Sequence, residues 1–339
     1  MNAKMSTFSA TTAEPSSDAR QIMFVIYPGI ALLDLAGPLQ VLSWAREPGT
    51  DQLGYHTRIL SHHGGRVPSD TLVEVDSDAI ASCRTSDIDT LIVIGGDGVY
   101  AAARDADFVA SIALLASMSR RVCSVCSGSY LLARAGLLHE RRAVTHWEDA
   151  DILKRDFPSI LLEIDPIYIK DGHVWTSAGV TAGIDMSIAI VAEDLGREAA
   201  LERAQSLVTY MVRPGGQSQF SPALERQKLD RDGRFEALHE WIADNLRENL
   251  SVEQLAGFES MSIRNFHRVY IDTMGMTPAR AVASIRMERA RDMLETSSTR
   301  IKSVAYTCGF RSEEQMRRTF LRVLGLSPTE YRNRFQLVD

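Results

Sequence analysis

The last quarter of this 339-residue chain contains one unit twice, and the duplication limits the fold more than any other feature. Sliding the sequence on itself lays Met274-Gly275-Met276-Thr277-Pro278 over Leu324-Gly325-Leu326-Ser327-Pro328. Upstream of each lie a short helical pattern, a turn, a serine and an amphipathic stretch carrying arginine. The residues are Leu255, Ala256, Ser262, Arg268 and Tyr270, then Val304, Ala305, Ser312, Arg318 and Phe320. Two short helices joined by a tight turn form a helix-turn-helix, whose second helix can enter a DNA major groove. Ser262 and Ser312 are predicted N-caps of the second helices. Gly309 stands where the second copy must turn with positive φ; the first copy has Ser260 there and a turn one residue shorter. Phe266 and Tyr270, like Met316 and Phe320, lie four apart and share an inward face. The outward face carries Arg264, His267 and Arg268 in one copy and Glu313, Glu314, Arg317 and Arg318 in the other. These seven are the candidate DNA-facing residues.

The residues between the copies read as one helix, with Pro278 at its first position and an apolar stripe of Val282, Ile285, Ala290, Met293 and Leu294. Such a helix sets the distance and angle between two reading heads. Ile285-Arg286-Met287-Glu288-Arg289-Ala290-Arg291, residues 301–310 and Gly325-Leu326-Ser327-Pro328-Thr329-Glu330-Tyr331-Arg332 resemble the AraC-type transcription regulators. The resemblance covers roughly the last hundred residues. It implies an all-α double helix-turn-helix domain, assigned to 233–339, with a double-stranded DNA operator as partner and RNA polymerase as a candidate second one.

A chain of this length is expected to hold two domains. Its net charge of −7 looks wrong for a DNA binder until it is divided. From Ser260 onward there are 14 Arg and Lys against 8 Asp and Glu, or +6; the remainder has 23 against 36, or −13. The basic end attracts phosphate, and the acidic remainder is repelled by it. No stretch reaches the roughly 18 apolar residues of a membrane helix, so no membrane partner is expected. Cys83, Cys123, Cys126 and Cys308 are too sparse for a disulfide framework, which suits a reducing cytoplasm. Cys123 and Cys126 form C-x-x-C, but no second pair or His cluster accompanies them, so no metal or cofactor is expected and Cys123 reads as a buried strand residue. Residues 1–20, rich in Ser, Thr and Ala, read as a disordered tail.

Apolar runs at 21–27, 55–61, 90–94 and 121–125 read as buried strands, with shorter ones at 144–146, 167–169 and 173–176. Helical patterns follow from Asp34 to Trp44, from Ser129 to a Gly136 cap, and over 181–211. Alternation of strands and helices implies a parallel sheet covered on both faces, with ligands at the carboxyl ends of its strands.

Cys126 lies at such an end, in Val125-Cys126-Ser127-Gly128-Ser129, a nucleophile-elbow pattern with cysteine in place of serine. A thiol at a helix N-terminus is expected to have a depressed pKa. Gly95 and Gly96, after another strand, are positioned to bring backbone N–H groups to a ligand oxygen. Asp34 and His146 are types that orient a thiol or exchange protons with it. Singly, each also has a structural reading, as core, turn, cap or buried histidine.

Together these pieces resemble the PfpI-type, class I glutamine amidotransferase-like superfamily. The resemblance is carried by Leu33-Asp34-Leu35-Ala36-Gly37-Pro38, Ile94-Gly95-Gly96, Val125-Cys126-Ser127-Gly128, Ala135-Gly136-Leu137-Leu138 and Thr145-His146-Trp147. Ser177-Ala178-Gly179-Val180-Thr181-Ala182-Gly183-Ile184-Asp185 and Arg213-Pro214-Gly215-Gly216-Gln217 look like the branch fused to an AraC-type reader. The resemblance implies a flavodoxin-like α/β domain over 21–212, a linker over 213–232, and a ligand site at Asp34, Gly95, Gly96, Cys126, Ser127 and His146. It also implies homodimerisation through the first domain. Enzymes of the superfamily work from the elbow cysteine, which maps to Cys126, with the acidic partner at Asp34. Ser127 stands where proteases of the group carry histidine, which argues against peptidase activity. The leading expectation is a regulator controlled by a small nitrogenous effector, since the regulators resembled include ones responding to arginine, carnitine and glycine betaine. The alternative is an amidase or isonitrile hydratase-like enzyme using Cys126, Asp34 and His146, tethered to a DNA reader.

Overall fold

The structure, a computed structural model, describes residues 15–83, 88–209, 219, 226 and 229–335. The chain divides into two compact units, Met1–Gly215 and Gly216–Asp339.

The first unit is an α/β sandwich of flavodoxin type. Its strands are β1 (Pro15–Val25), β2 (Leu53–Ser61), β3 (Gly65–Pro68), β4 (Glu74–Ala79), β5 (Ile88–Val93), β6 (Arg121–Val125), β7 (Arg142–Ala143), β8 (Leu161–Leu162), β9 (Tyr168–Asp171) and β10 (Val174–Ser177). The main sheet runs β3-β4-β2-β1-β5-β6-β10-β9, and β7 pairs with β8 apart from it. From β4 to β10 every pairing is parallel, while the edge strands β3 and β9 run antiparallel to their neighbours. Parallel strands are covered on both faces and need apolar side chains throughout. Phe24, Val25, Leu91, Ile92, Val93, Val122 and Val125 are accordingly all fully buried. The helices α1 (Leu32–Ser43), α2 (Val99–Ala102), α3 (Ala106–Ser117), α4 (Gly128–Arg134), α5 (Ala150–Asp156), α6 (Thr181–Leu195) and α7 (Arg197–Ser206) alternate with the strands. The strand order reverses between β1 and β5, and a crevice opens at such a point beyond the strands' carboxyl ends.

Several details depart from the sequence reading, among them the strand expected at 144–146, which stands instead at Arg142–Ala143. β1 starts at Pro15, so residues 15–20 of the expected tail belong to a strand; residues 1–14 lie outside the described residues. Its extension pairs with β2 through the backbone, as Pro15 with Leu53 and Arg20 with Tyr55, which needs no apolar run. The β3–β4 hairpin was not anticipated because it is an exposed edge: β4 alternates half-buried and exposed residues and carries Asp78, which pairs with Arg58 at 2.7 Å. The helical stretch expected over 181–211 is two helices ending at Ser206, broken at Gly196 with φ of 90°; residues 210–211 lie outside the described residues. The linker expected over 213–232 lies largely outside the described residues.

The second unit is all helical: α8 (Glu236–Asp244), α9 (Val252–Phe258), α10 (Ile263–Met274), α11 (Pro278–Thr296), α12 (Ile301–Thr307), α13 (Glu313–Leu324) and α14 (Pro328–Phe335). The two repeats are α9–α10 and α12–α13. Ser262 Oγ accepts from the Asn265 N–H at 3.4 Å and Ser312 Oγ from the Gln315 N–H at 3.1 Å, so both serines cap as expected. The turns are equivalent despite their lengths. Met261 N–H donates to Ala256 O and Phe310 N–H to Ala305 O, both at 2.9 Å, the closing bond of a Schellman motif. Ser260 takes the left-handed conformation with φ of 53°, as Gly309 does with 74°. α11 spans two cores: its first half packs Ala281, Val282 and Ile285 with Phe266 and Tyr270, its second packs Met287, Ala290 and Leu294 with Met316 and Phe320. One stiff helix thus carries both heads.

Candidate functional site

In the first unit the carboxyl ends of β1, β5, β6 and β10 converge on Cys126. This residue leaves β6 with φ of 57°, a conformation that costs a non-glycine residue about 1–3 kcal/mol unless its surroundings enforce it. They do. Its N–H donates to Ser177 O at 3.0 Å, and Thr145 Oγ1 donates to its carbonyl at 3.1 Å. Backbone closes in on both sides: a Cβ on Gly95 would lie 2.6 Å from Cys126 Cβ, and one on Gly179 2.3 Å from it. Only glycine fits at either position.

Asp34 lies in the first turn of α1, fully buried, and does not cap that helix. Its Oδ1 accepts the Val180 N–H at 2.6 Å, and Val180 is itself held at φ of 50°. Its Oδ2 has no hydrogen-bond partner of normal geometry among the described residues, and the carboxyl group neighbours the Cys126 thiol. Burial pushes the Asp34 carboxyl up, with the Val180 bond pulling it partly back. Burial also pushes the Cys126 thiol well above the ordinary cysteine range, and the Asp34 charge adds to the effect. The depressed thiol pKa expected at a helix N-terminus is therefore overturned. α4 is only seven residues long, and desolvation beside a carboxylate outweighs its dipole.

The other predicted residues gather here too. Ser127 Oγ accepts the Gly96 N–H at 2.9 Å and donates to the Gly96 carbonyl at 3.2 Å, so the N–H expected to face a ligand oxygen is already used. His146 precedes α5; its Nδ1 is 3.5 Å from Glu148 Oε2, and its ring lies beside Trp147. Several neighbours were missed. Asp149 offers a carboxylate oxygen within 4.8 Å of donor atoms of Cys126 and His146, and its Oδ1 accepts the Tyr100 hydroxyl at 2.5 Å. The spacing of His146 and Asp149, one helical turn, was the available signal. Tyr27 follows β1, buried, with its phenol pushed up first by burial and then by Cys126. Cys123, by contrast, is a core residue, wholly buried with its thiol pushed up to about 12.

In the second unit Arg264, His267, Arg268, Glu313, Glu314, Arg317 and Arg318 are all exposed on α10 and α13. They are not all free: Arg268 contacts Asp272 at 3.3 Å and Asn265 at 3.1 Å, while Glu314 accepts two bonds from Arg317 at 2.7 and 2.8 Å. A concave surface at each helix is lined by Arg264, Asn265, His267 and Arg268 in one repeat, and by Arg311, Gln315, Arg318 and Arg322 in the other. Asn265 and Gln315 occupy the same register, three residues after each capping serine, and were missed because they are uncharged. Amide side chains can pair with adenine, as arginine pairs with guanine.

Comparison with known proteins agrees with both halves. The DJ-1/PfpI family matches residues 20–193 and a helix-turn-helix domain matches residues 255–334. The HTH-type transcriptional regulator GbdR of Pseudomonas aeruginosa is 26% identical over 97% of this chain and 88% of its own length. An isonitrile hydratase of Pseudomonas putida is 32% identical, covering 54% of this chain and 75% of the enzyme. The crystal structure of a ThiJ/PfpI family protein from Pseudomonas syringae superposes with a TM-score of 0.52 at 29% identity, covering 63% of this chain and 86% of that one.

Proposed function

The chain belongs to the DJ-1/PfpI family and is an AraC-type transcription regulator, and from that premise we propose that its first unit binds a small nitrogenous effector at the Cys126 pocket. One observation favours sensing over turnover. Burial, and after it the Asp34 charge, pushes the Cys126 thiol up, whereas nucleophilic catalysis needs the thiolate. The lining suits a cationic nitrogen: Asp34, Glu148 and Asp149 carry the charge, and Trp147, 47% exposed, offers an aromatic face. Homodimerisation through the first unit belongs to the same reading, because linking two readers raises their effective concentration on DNA.

The test pairs two measurements on the full chain: calorimetry against amines, amino acids and quaternary ammonium compounds, and mass spectrometry of the bound compound after long incubation. Binding that raises the melting temperature, with the compound recovered unchanged, is expected. Cys126→Ser should leave that binding within a few-fold. Turnover by wild type that is abolished in Cys126→Ser would establish the enzyme instead. Light scattering should give a dimer.

A further inference from the structure

Three side chains of different chemistry converge at the elbow. Cys126 Sγ, one ring nitrogen of His146 and one carboxylate oxygen of Asp149 lie within 4.8 Å of one another, the one such group among the described residues. We propose that Cys126, His146 and Asp149 form a binding site for a divalent transition ion of the zinc class.

Thiolate, imidazole and carboxylate are the three ligand types zinc takes, and three protein donors leave a fourth tetrahedral position for water or a ligand. Zinc bonds of about 2.0–2.3 Å would set the donors about 3.5 Å apart, so small side-chain rotations close the site. Metal ligands are usually held by outer partners. Here the Tyr100 hydroxyl donates to Asp149 Oδ1 at 2.5 Å and leaves Oδ2 to coordinate. Glu148 Oε2 lies 3.5 Å from His146 Nδ1, a carboxylate neighbour of the kind that flanks a metal-bound imidazole. On binding, the metal–sulfur bond forms, the thiol proton passes to solvent, and no electron moves.

The inference goes beyond the effector reading and rests on it only for its consequence, that an amino or carboxylate group of the effector would occupy the fourth position. The test uses the metal alone. The full chain, stripped with chelator, is titrated with Zn2+ against a chromophoric competitor, and with Co2+ while following the sulfur-to-cobalt charge-transfer band. We expect one ion per chain. Cys126→Ser should abolish the band, and His146→Ala or Asp149→Asn should weaken binding more than about a hundredfold. Tyr100→Phe, acting on a positioning residue, should keep the band and weaken binding about tenfold. Circular dichroism of the metal-free variants controls for folding. Absence of binding, or a charge-transfer band retained in Cys126→Ser, would overturn the proposal. Effector calorimetry in the presence of chelator would still show whether the effector reading stands.

Discussion

The carboxylate of Asp34 accepts the backbone N–H of Val180 at 2.6 Å, which ties α1 to the strained loop closing over Cys126. Asp34 therefore does two things at once: it holds the loop that carries Val180, and its charge adds to the burial that pushes the neighbouring thiol up.

Replacing it separates the two effects. Asp34 has a folded pKa above its unfolded value, so its contribution to stability is present below about pH 3.9 and lost as pH rises through the folded pKa. Asp34→Asn keeps an acceptor for Val180 but has no charge to bury. Its melting temperature should gain on wild type as pH rises from about 4 to 8. Iodoacetamide should also modify Cys126 faster in the variant, since a charge that raised the thiol is gone. A wild-type advantage growing with pH would contradict this.

The two turns give opposite predictions for opposite substitutions. A Cβ on Gly309 would lie 1.7 Å from Leu246 O, at a φ of 74°, so Gly309→Ala should destabilise the helical unit by at least about 1–3 kcal/mol. Ser260 sits in the same left-handed conformation with its side chain exposed, and Ser260→Gly should be neutral or stabilise by up to about 1 kcal/mol. Urea denaturation of both variants measures this directly.

His239 makes the helical unit sensitive to acid. Its Nε2 is 2.7 Å from the Tyr270 hydroxyl, and burial pushes its pKa down to about 4, with Arg226 contributing. A depressed folded pKa means stability is present above about pH 6.5 and lost as pH falls toward 4. His239→Gln should flatten the pH dependence of unfolding over that window.

How much of this was legible follows from which signals are local. The doubled unit, its capping serines and the buried faces of Phe266, Tyr270, Met316 and Phe320 were legible because spacing within one helix reports them. So was the elbow, since Cys126 follows an uninterrupted apolar strand. The upward push on the thiol was not, because it comes first from burial and then from Asp34, ninety-two positions earlier in the chain, and neither is visible to a local rule. Asp149 and Tyr100 join the pocket only through the sheet's topology. The β3–β4 edge lacks the apolar run that marks a strand, because three of the four β3 residues and half of β4 face solvent.

The central claim, a two-headed DNA reader, is tested by selecting binding sites from a random duplex pool with the full chain and footprinting the winner. The account predicts two protected segments on one side of the duplex, their centres roughly 34 Å apart, reading successive major-groove faces. Arg268→Ala should erase preference within one segment and Arg318→Ala within the other, each weakening binding by about 1–3 kcal/mol where the arginine pairs with guanine. A single protected segment, no enriched sequence, or wild-type affinity and preference in both variants would contradict it.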